Sequence, residues 1–278
     1  MSKKIIKLLS VICFVGIAGS LMSCNMFNSE KKKDVSEENG PEIPGLTVTG
    51  GKYSFSEEEK LIVLLPEEEA VEYTISGKFD GQIKNDVKNT KIVLDNVELS
   101  NSEGKAAIYS TEKCEISAKA ESVNKITSNN EAAAILCEKG IEFGGSGETE
   151  IEGSVKHGVK GSKIEFKGSG VYKIKGTTDG SAVNCNTFNI KEEKTVTLYL
   201  SDSKNGIKAD DNITILSGTL YLSKLNYGFS TDTSADDPEV EHFVTLANCT
   251  IHTSSIKKAL YKTEENGYTA TDVEFIEE

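Results

Sequence analysis

The chain has 278 residues and a formal net charge of −13, and all of its 31 basic residues are lysines. A surface this acidic repels nucleic acid, and it repels an acidic polysaccharide unless a cation lies between the two. Without arginine, the chain has no guanidinium group for bidentate recognition of carboxylate or phosphate. Its six cysteines form no CxxC pair, so no zinc or redox motif is indicated.

Residues 1–23 are predicted to be a lipoprotein signal peptide. A lysine-rich start is followed by an apolar run at 8–19 (LLSVICFVGIAG), which is too short to span a bilayer. The run ends in Leu-Met-Ser-Cys at 21–24, which resembles a bacterial lipobox, so Cys24 is the expected lipidation site. An ordinary signal peptide cleaved nearby is the alternative. We therefore expect an exported protein of the bacterial cell envelope, lipid-anchored at the outer membrane or cell surface, that contacts the membrane only through its anchor.

Residues 24–45 are predicted to be a flexible tether. This segment is polar, charged and interrupted by proline and glycine, and it has too few apolar residues to form a core. A tether of this kind suits a module that works away from the membrane surface.

A short phrase, a small residue followed by an apolar one, recurs through the rest of the chain at intervals close to 24 residues. Its apolar members, which we call the anchors, are Ile83, Ile108, Ile135, Val159, Val183, Ile207, Phe229 and Leu260. Short runs of alternating apolar and polar residues lie between them, such as 196–200 (VTLYL), and this period of two indicates strands. Repeats of this length that each bury one apolar face indicate a stack.

Residues 46–278 are therefore predicted to form one all-β domain, a single-stranded right-handed parallel β-helix of about eight coils. Residues 46–80 are expected to form an N-terminal cap, and 263–278 are expected to cap the other end, because the terminal strand edges of a stack need covering. An antiparallel sandwich or propeller is the alternative. The constant position of the anchor in each unit favours the stack, in which like residues lie on like.

These residues resemble a bacterial family of carbohydrate-binding parallel β-helix proteins, over about residues 50–230. The segments that carry the resemblance are 73–77 (YTISG), 80–83 (DGQI), 92–97 (IVLDNV), 106–109 (AAIY) and 205–208 (NGIK). The resemblance implies a polysaccharide ligand, pectin-like or cellulose-like, and calcium as a cofactor. Where the family often has aspartate before Gly-Ile, this chain has His157, Ser181, Asn205 and Tyr227, which implies fewer calcium sites.

Five aspartates are the candidate calcium ligands, since calcium takes several oxygens and usually carboxylates. Asp210 and Asp232 each follow an anchor by three residues, so neighbouring coils should bring them within ~5 Å of each other. Asp211 is adjacent, and Asp179 with Asp202 forms a second candidate pair. Stacked like charges are unfavourable unless they are solvated or bridged by a cation. Solvated turn acids without a metal are the alternative.

Tyrosines are the candidate sugar-binding aromatics, because the chain contains no tryptophan. Tyr199 and Tyr221 are 22 residues apart and alternate with apolar residues, which predicts an outward ladder, and Tyr227 is a third candidate. Tyr172 is expected to face outward as well. Stacked tyrosines that only stabilise the sheet surface are the alternative.

The function predicted from these features is non-catalytic binding of an extracellular polysaccharide by a monomer. Two alternatives remain open. One is a surface adhesin or envelope scaffold that binds protein through the same face. The other is an enzyme, either a polysaccharide lyase with a lysine base such as Lys208, or a hydrolase with a carboxylate pair.

Overall fold

The computed structural model describes residues 40–67, 71–232, 243–262 and 267–278, which lie in one compact unit, Glu37–Glu278. The regular secondary structure in these ranges consists of β-strands, and none of the described residues forms a helix that could cross a membrane. The predicted signal peptide, the lipidation site Cys24 and most of the tether lie outside the described residues.

In chain order the described strands are β1 (Leu46–Thr49), β2 (Tyr53–Ser56), β3 (Leu61–Leu64), β4 (Glu72–Asp80), β5 (Gln82–Asn85), β6 (Thr90–Asn101), β7 (Ile108–Ser110), β8 (Cys114–Ala118), β9 (Val123–Ser128), β10 (Ala133–Gly145), β11 (Glu148–Gly153), β12 (His157–Phe166), β13 (Val171–Lys175), β14 (Ser181–Ile190), β15 (Thr197–Ile215), β16 (Thr219–Thr231), β17 (Val244–Ala247), β18 (Thr250–Lys262), β19 (Tyr268–Thr271) and β20 (Glu274–Glu277).

The strands stack as a parallel β-solenoid of about eight turns, which confirms the predicted fold class. The first seven anchors lie in register on successive turns and are fully buried, whereas Leu260 is half-buried. Ile62 of β3 extends this column by one turn on the N-terminal side, where it pairs with Ile83. The alternation of buried and exposed residues within each strand explains the arrangement, because only stacked turns can bury a continuous apolar face.

Two further walls complete the interior. The second wall contains a column of Ile92, Ile116, Phe143, Phe166, Ile190, Ile215 and Leu246. The third contains a column of Ile126, Ile151, Ile174, Leu200 and Leu222. Tyr172 also lies in the interior, because its ring packs edge-on against Phe143 and Phe166 and its hydroxyl donates to the Gly144 carbonyl at 2.5 Å. The expectation that Tyr172 faces outward is therefore wrong.

The N-terminal end differs from the predicted cap at 46–80. Among the described strands, β1 pairs antiparallel with β4 and β2 pairs antiparallel with β3, so these two depart from the parallel arrangement. Strands β3 and β4 already pair in parallel with β5 and β6. The stack therefore begins at Leu61, and the antiparallel β1 and β2 lie at its N-terminal end.

The C-terminal segment continues the stack instead of closing over it. Strands β19 and β20 pair in parallel with β17 and β18, so the described part of the predicted cap at 263–278 is a last partial turn. The final anchor also differs, since Tyr261 and not Leu260 lies opposite Phe229. An irregularity after Leu225 causes this shift, because β18 has one extra residue there.

Candidate functional site

An open groove of about 960 Å³ runs along the outer side of the first wall of the solenoid, whose strands carry the anchors. We call this surface the groove. Its lining residues come from successive turns and are mostly polar: Ala132, Leu136, Cys137, Glu138, Lys156, His157, Lys160, Gly161, Ser162, Asp179, Ser181, Asn184, Cys185, Asn186, Lys204, Asn205, Lys208, Asp210, Ser230 and Lys262. Strands β10, β12, β14, β15, β16 and β18 supply most of these residues, since each strand turns the residue after its anchor outward.

The groove carries positive charge on an acidic protein. Five lysines and three carboxylates line it, whereas the whole chain has a net charge of −13. The low dielectric constant of the protein walls concentrates the field of such a cluster, so the groove attracts anionic groups that the rest of the surface repels. The overall charge in the sequence therefore does not describe this face.

A polar column of His157, Ser181, Asn205 and Tyr227 lies beside the anchor column. The Nδ1 atom of His157 accepts a hydrogen bond from the Ser181 backbone N–H at 2.9 Å, and Asn205 Nδ2 donates to Ser181 Oγ at 3.0 Å. Burial, followed by the charges of Lys156 and Lys160, lowers the pKa of His157 to about 4. The imidazole is therefore neutral at pH 7, and its Nδ1 is held as an acceptor.

Asp210 and Asp232 lie on adjacent turns, as expected, because Ala209 and Thr231 just before them are paired in register. The cation between them is a lysine of the chain itself. Lys208 Nζ lies 3.5 Å from Asp210 Oδ1 and 3.6 Å from Asp232 Oδ2. This ammonium group offsets the repulsion that the sequence predicts for the two stacked carboxylates.

The other candidate calcium ligands are spread out. Asp202 lies at a corner with φ of 52°, where it accepts from Ser201 Oγ at 2.8 Å and pairs with Lys224 at 3.4 Å. Asp179 is an exposed turn residue on the edge of the groove, and Asp211 lies in an irregularity of the β14–β15 pairing. The described residues contain no group of three or more His, Cys, Asp or Glu arranged to hold a metal.

This donor set does not fit a calcium cage, because lysine ammonium groups already contact Asp202, Asp210 and Asp232. Calcium favours several oxygens at 2.3–2.6 Å around one point. Calcium binding by these aspartates stays a prediction.

Tyr199 and Tyr221 form the predicted ladder, on the third wall and not in the groove. Their rings stack at 4.4 Å with an angle of 8°, and His252 on the next turn stacks on Tyr221 at 4.2 Å. Both faces of the Tyr221 ring are therefore covered by neighbouring rings. A sugar would meet mainly ring edges here, which favours the alternative that this ladder stabilises the sheet.

Tyr227 is the predicted aromatic that borders the groove. It pairs in register with Asn205, a groove-lining residue. Lys258 Nζ lies 5.4 Å and Lys262 Nζ lies 5.9 Å from the centre of its ring, within the range of a cation–π contact. Tyr227 therefore orients two lysines at one end of the groove.

The second wall bears a column of glutamates that the sequence reasoning missed. Glu115, Glu142 and Glu165 lie on successive turns in register. Lys113 and Lys167 contact Glu142 at 2.6 and 2.5 Å, and Lys191 contacts Glu165 at 2.9 Å. Their shared position between two apolar residues of each strand is the sequence signal that would have revealed them. Because lysines neutralise Glu142 and Glu165, we regard the column as a structural feature of the sheet surface.

Comparisons with known proteins bear on residues 62–191, which match a family model described as "Carbohydrate-binding domain-containing protein". A search of curated proteins found no match. Among solved structures, the chain resembles the polysaccharide lyase-like protein from C. thermocellum, studied as a gadolinium derivative, with a TM-score of 0.45 and 18% identity over 86% of this chain and 92% of that one. The chain is thus similar, over the turns that include β10, β12 and β14 of the groove, to a carbohydrate-binding domain family.

Proposed function

We propose that this protein is a non-catalytic, lipid-anchored module of the bacterial cell envelope that binds an extracellular polysaccharide along the groove. The observation that carries the proposal is the coincidence of two features on the same turns. Strands β10, β12 and β14 supply much of the groove, and they lie inside residues 62–191, which match the carbohydrate-binding family model.

The groove has the shape and chemistry that a polysaccharide chain requires. It crosses about five strand spacings of ~4.8 Å, which gives an open path on the order of 25 Å long, enough for several sugar residues. Its lysine, asparagine and serine side chains offer hydrogen-bond donors and acceptors to sugar hydroxyls. Because these groups project from paired strands, no loop has to be ordered when a ligand binds.

The lipid anchor and tether explain how such a module would be used. A lipidated Cys24 would hold the chain at the membrane, and the polar segment to residue 45 would let the solenoid reach a polymer outside it. This part of the proposal rests on the sequence. Incorporation of labelled palmitate into the wild type and not into Cys24→Ala, expressed in bacteria, tests it directly.

A polysaccharide lyase is the second candidate, and the lysines of the groove are the observation that favours it. Among them, Lys208 is engaged with two carboxylates, whereas a general base must be positioned to accept a proton from substrate. We therefore place binding ahead of cleavage. The appearance of unsaturated products, which absorb in the ultraviolet, would instead establish the lyase.

The test is retention of the full-length protein, purified in detergent, on a panel of immobilised polysaccharides, each with added calcium and with a chelator. Two matched variants locate the binding face. Asn184→Trp places a large ring in the groove, and Asn189→Trp places the same ring on the second wall from the same strand, β14. We expect retention on at least one polysaccharide, lost in Asn184→Trp and kept in Asn189→Trp.

Two outcomes would contradict the proposal. One is the absence of retention on every polysaccharide, with and without calcium, which would favour a protein-binding adhesin or scaffold. The other is retention that the two tryptophan variants share equally, which would place binding on another face. Retention that requires calcium would support the metal prediction without changing the location of the groove.

A further inference from the structure

The lysines of the groove face lie on every second turn of the solenoid. Three turns carry a pair of lysines four residues apart: Lys156 and Lys160, Lys204 and Lys208, Lys258 and Lys262. The segments at equivalent positions on the turns between and before them, 132–138, 180–186 and 226–232, contain no lysine. The alternation therefore extends over six successive turns.

The strand register converts this pattern into a spacing. One outward column reads Lys160, Asn184, Lys208, Ser230 and Lys262, each paired with the next. Neighbouring parallel strands are ~4.8 Å apart, so the lysines of this column recur every ~10 Å. Beside it, the Lys204 N–H donates to the Gly180 carbonyl at 2.8 Å, which places a glycine between the lysine turns.

Asp210 lies on a lysine turn, where it pairs with Lys208 at 3.5 Å. The turns without lysine also hold carboxylates: Glu138 and Asp179 line the groove on two of them, and Asp232 lies at the end of the third. An anion bound opposite one of these turns would meet negative charge or neutral amide and hydroxyl groups. The groove face therefore alternates between sites that favour an anion and sites that favour a neutral hydroxylated group.

We infer that the ligand is a polysaccharide of alternating acidic and neutral sugars, which presents one anionic group to the groove for every two residues. This inference rests on the proposed function, because it assumes that a glycan runs along the groove. In an extended glycan each sugar residue spans about one strand spacing of the solenoid. Its disaccharide repeat is therefore comparable in length to two turns, and its charges match the lysine pairs.

Polymers with denser charge fit the groove less well. A nucleic acid strand carries a phosphate about every 3.4 Å, so roughly one charge in three would lie near a lysine turn. The remaining charges would lie against the turns that bear Glu138, Asp179 and Asp232. This mismatch, together with the net charge of −13, disfavours nucleic acid as the ligand.

The experiment compares four probes on the full-length protein at constant ionic strength. Hyaluronate alternates a uronate with a neutral amino sugar, polygalacturonate bears a charge on every residue, and carboxyl-reduced forms of both are neutral. We expect hyaluronate to bind at least about 10-fold more tightly than its reduced form, as two or three exposed ion pairs would give. Polygalacturonate should bind with intermediate affinity.

Variants of the protein test the spacing itself. Asn184→Lys places a lysine on an intervening turn, and it should raise the affinity for polygalacturonate more than that for hyaluronate. The double variant K156A/K160A removes one lysine turn and should weaken hyaluronate binding about 2- to 5-fold. Its control is K78A/K125A, which removes the same charge from exposed lysines outside the groove.

The outcomes separate this inference from the proposed function. If polygalacturonate binds as tightly as hyaluronate, or if the reduced forms bind as tightly as the charged ones, the alternating-charge inference is wrong although glycan binding stands. The same holds if none of the four probes binds while a neutral polysaccharide of the panel does. If no polysaccharide of any kind is retained, both the inference and the proposed function are overturned.

Discussion

The buried histidine of the groove should make the stability of the protein depend on pH. His157 accepts a backbone hydrogen bond through Nδ1, and its pKa lies at about 4 instead of 6.5 because burial disfavours the charged form. The perturbation is His157→Asn, which keeps an oxygen acceptor near the Nδ1 position and removes the titrating group. Asn205 occupies the same column two turns away, so the residue type suits the site.

The magnitude follows from the two pKa values. Between pH 6.5 and 4 the unfolded chain binds a proton at this residue and the folded chain does not, so stability is present above pH 6.5 and decreases as the pH falls. At 1.36 kcal/mol per unit, the full effect is about 3 kcal/mol, and about 2 kcal/mol of it is lost between pH 8 and pH 5. His157→Asn should lack this component.

The assay is urea unfolding of the wild type and His157→Asn at pH 8 and pH 5. Carboxylates titrate in both proteins, so the difference between the two pH dependences isolates the histidine. We expect the free energy of unfolding of the wild type to fall by about 2 kcal/mol more than that of the variant. Equal pH dependences in the two proteins would refute the reasoning, because they would mean that His157 titrates alike in the folded and unfolded chains.

Two further predictions concern packing. Phe166→Ala removes a ring stacked on Phe143 at 4.7 Å in the second wall, and urea unfolding should show a loss of about 3–5 kcal/mol in the free energy of unfolding. The control, Val123→Ala at an exposed site, should change this free energy by less than about 0.5 kcal/mol. A loss under about 1 kcal/mol for Phe166→Ala would contradict the stacked core. Gly180→Ala should be destabilising by about 1–3 kcal/mol and should lower the midpoint of thermal unfolding, because its Cβ would lie 1.8 Å from a backbone carbonyl oxygen of the preceding turn. The control, Gly161→Ala, should be less destabilising, because the nearest atom of another turn would lie 3.2 Å from its Cβ. The reverse order would show that the turns are not packed as described.

The sequence predicted the stack because each turn repeats one local pattern. The first seven anchors are fully buried isoleucine, valine or phenylalanine residues at a near-constant interval, and their burial on stacked turns leaves little choice of register. The ladder of Tyr199 and Tyr221 and the adjacency of Asp210 and Asp232 follow from the same register. The last anchor was predicted one residue too early, at Leu260 instead of Tyr261, because no feature of the sequence marks the extra residue in β18.

The chemistry of the site was harder to predict, because it depends on which residues of different turns meet. Lys208 reaches two carboxylates on neighbouring turns, an arrangement that the one-dimensional spacing of the aspartates does not reveal. Net charge averages over the surface, so it concealed a groove lined by five lysines. The stacking of Tyr221 between two rings likewise depends on His252, which the sequence marks only as an isolated histidine.

Footprinting of lysines tests most directly whether the groove binds the polysaccharide. All basic residues are lysines, so acylation rates measured by mass spectrometry report on every face of the solenoid at once. On addition of a retained polysaccharide, we expect the lysines that line the groove (Lys156, Lys160, Lys204, Lys208 and Lys262) to react more slowly, while exposed Lys78 and Lys125 on other faces keep their rates. Protection confined to those other faces, with unchanged rates in the groove, would contradict the account.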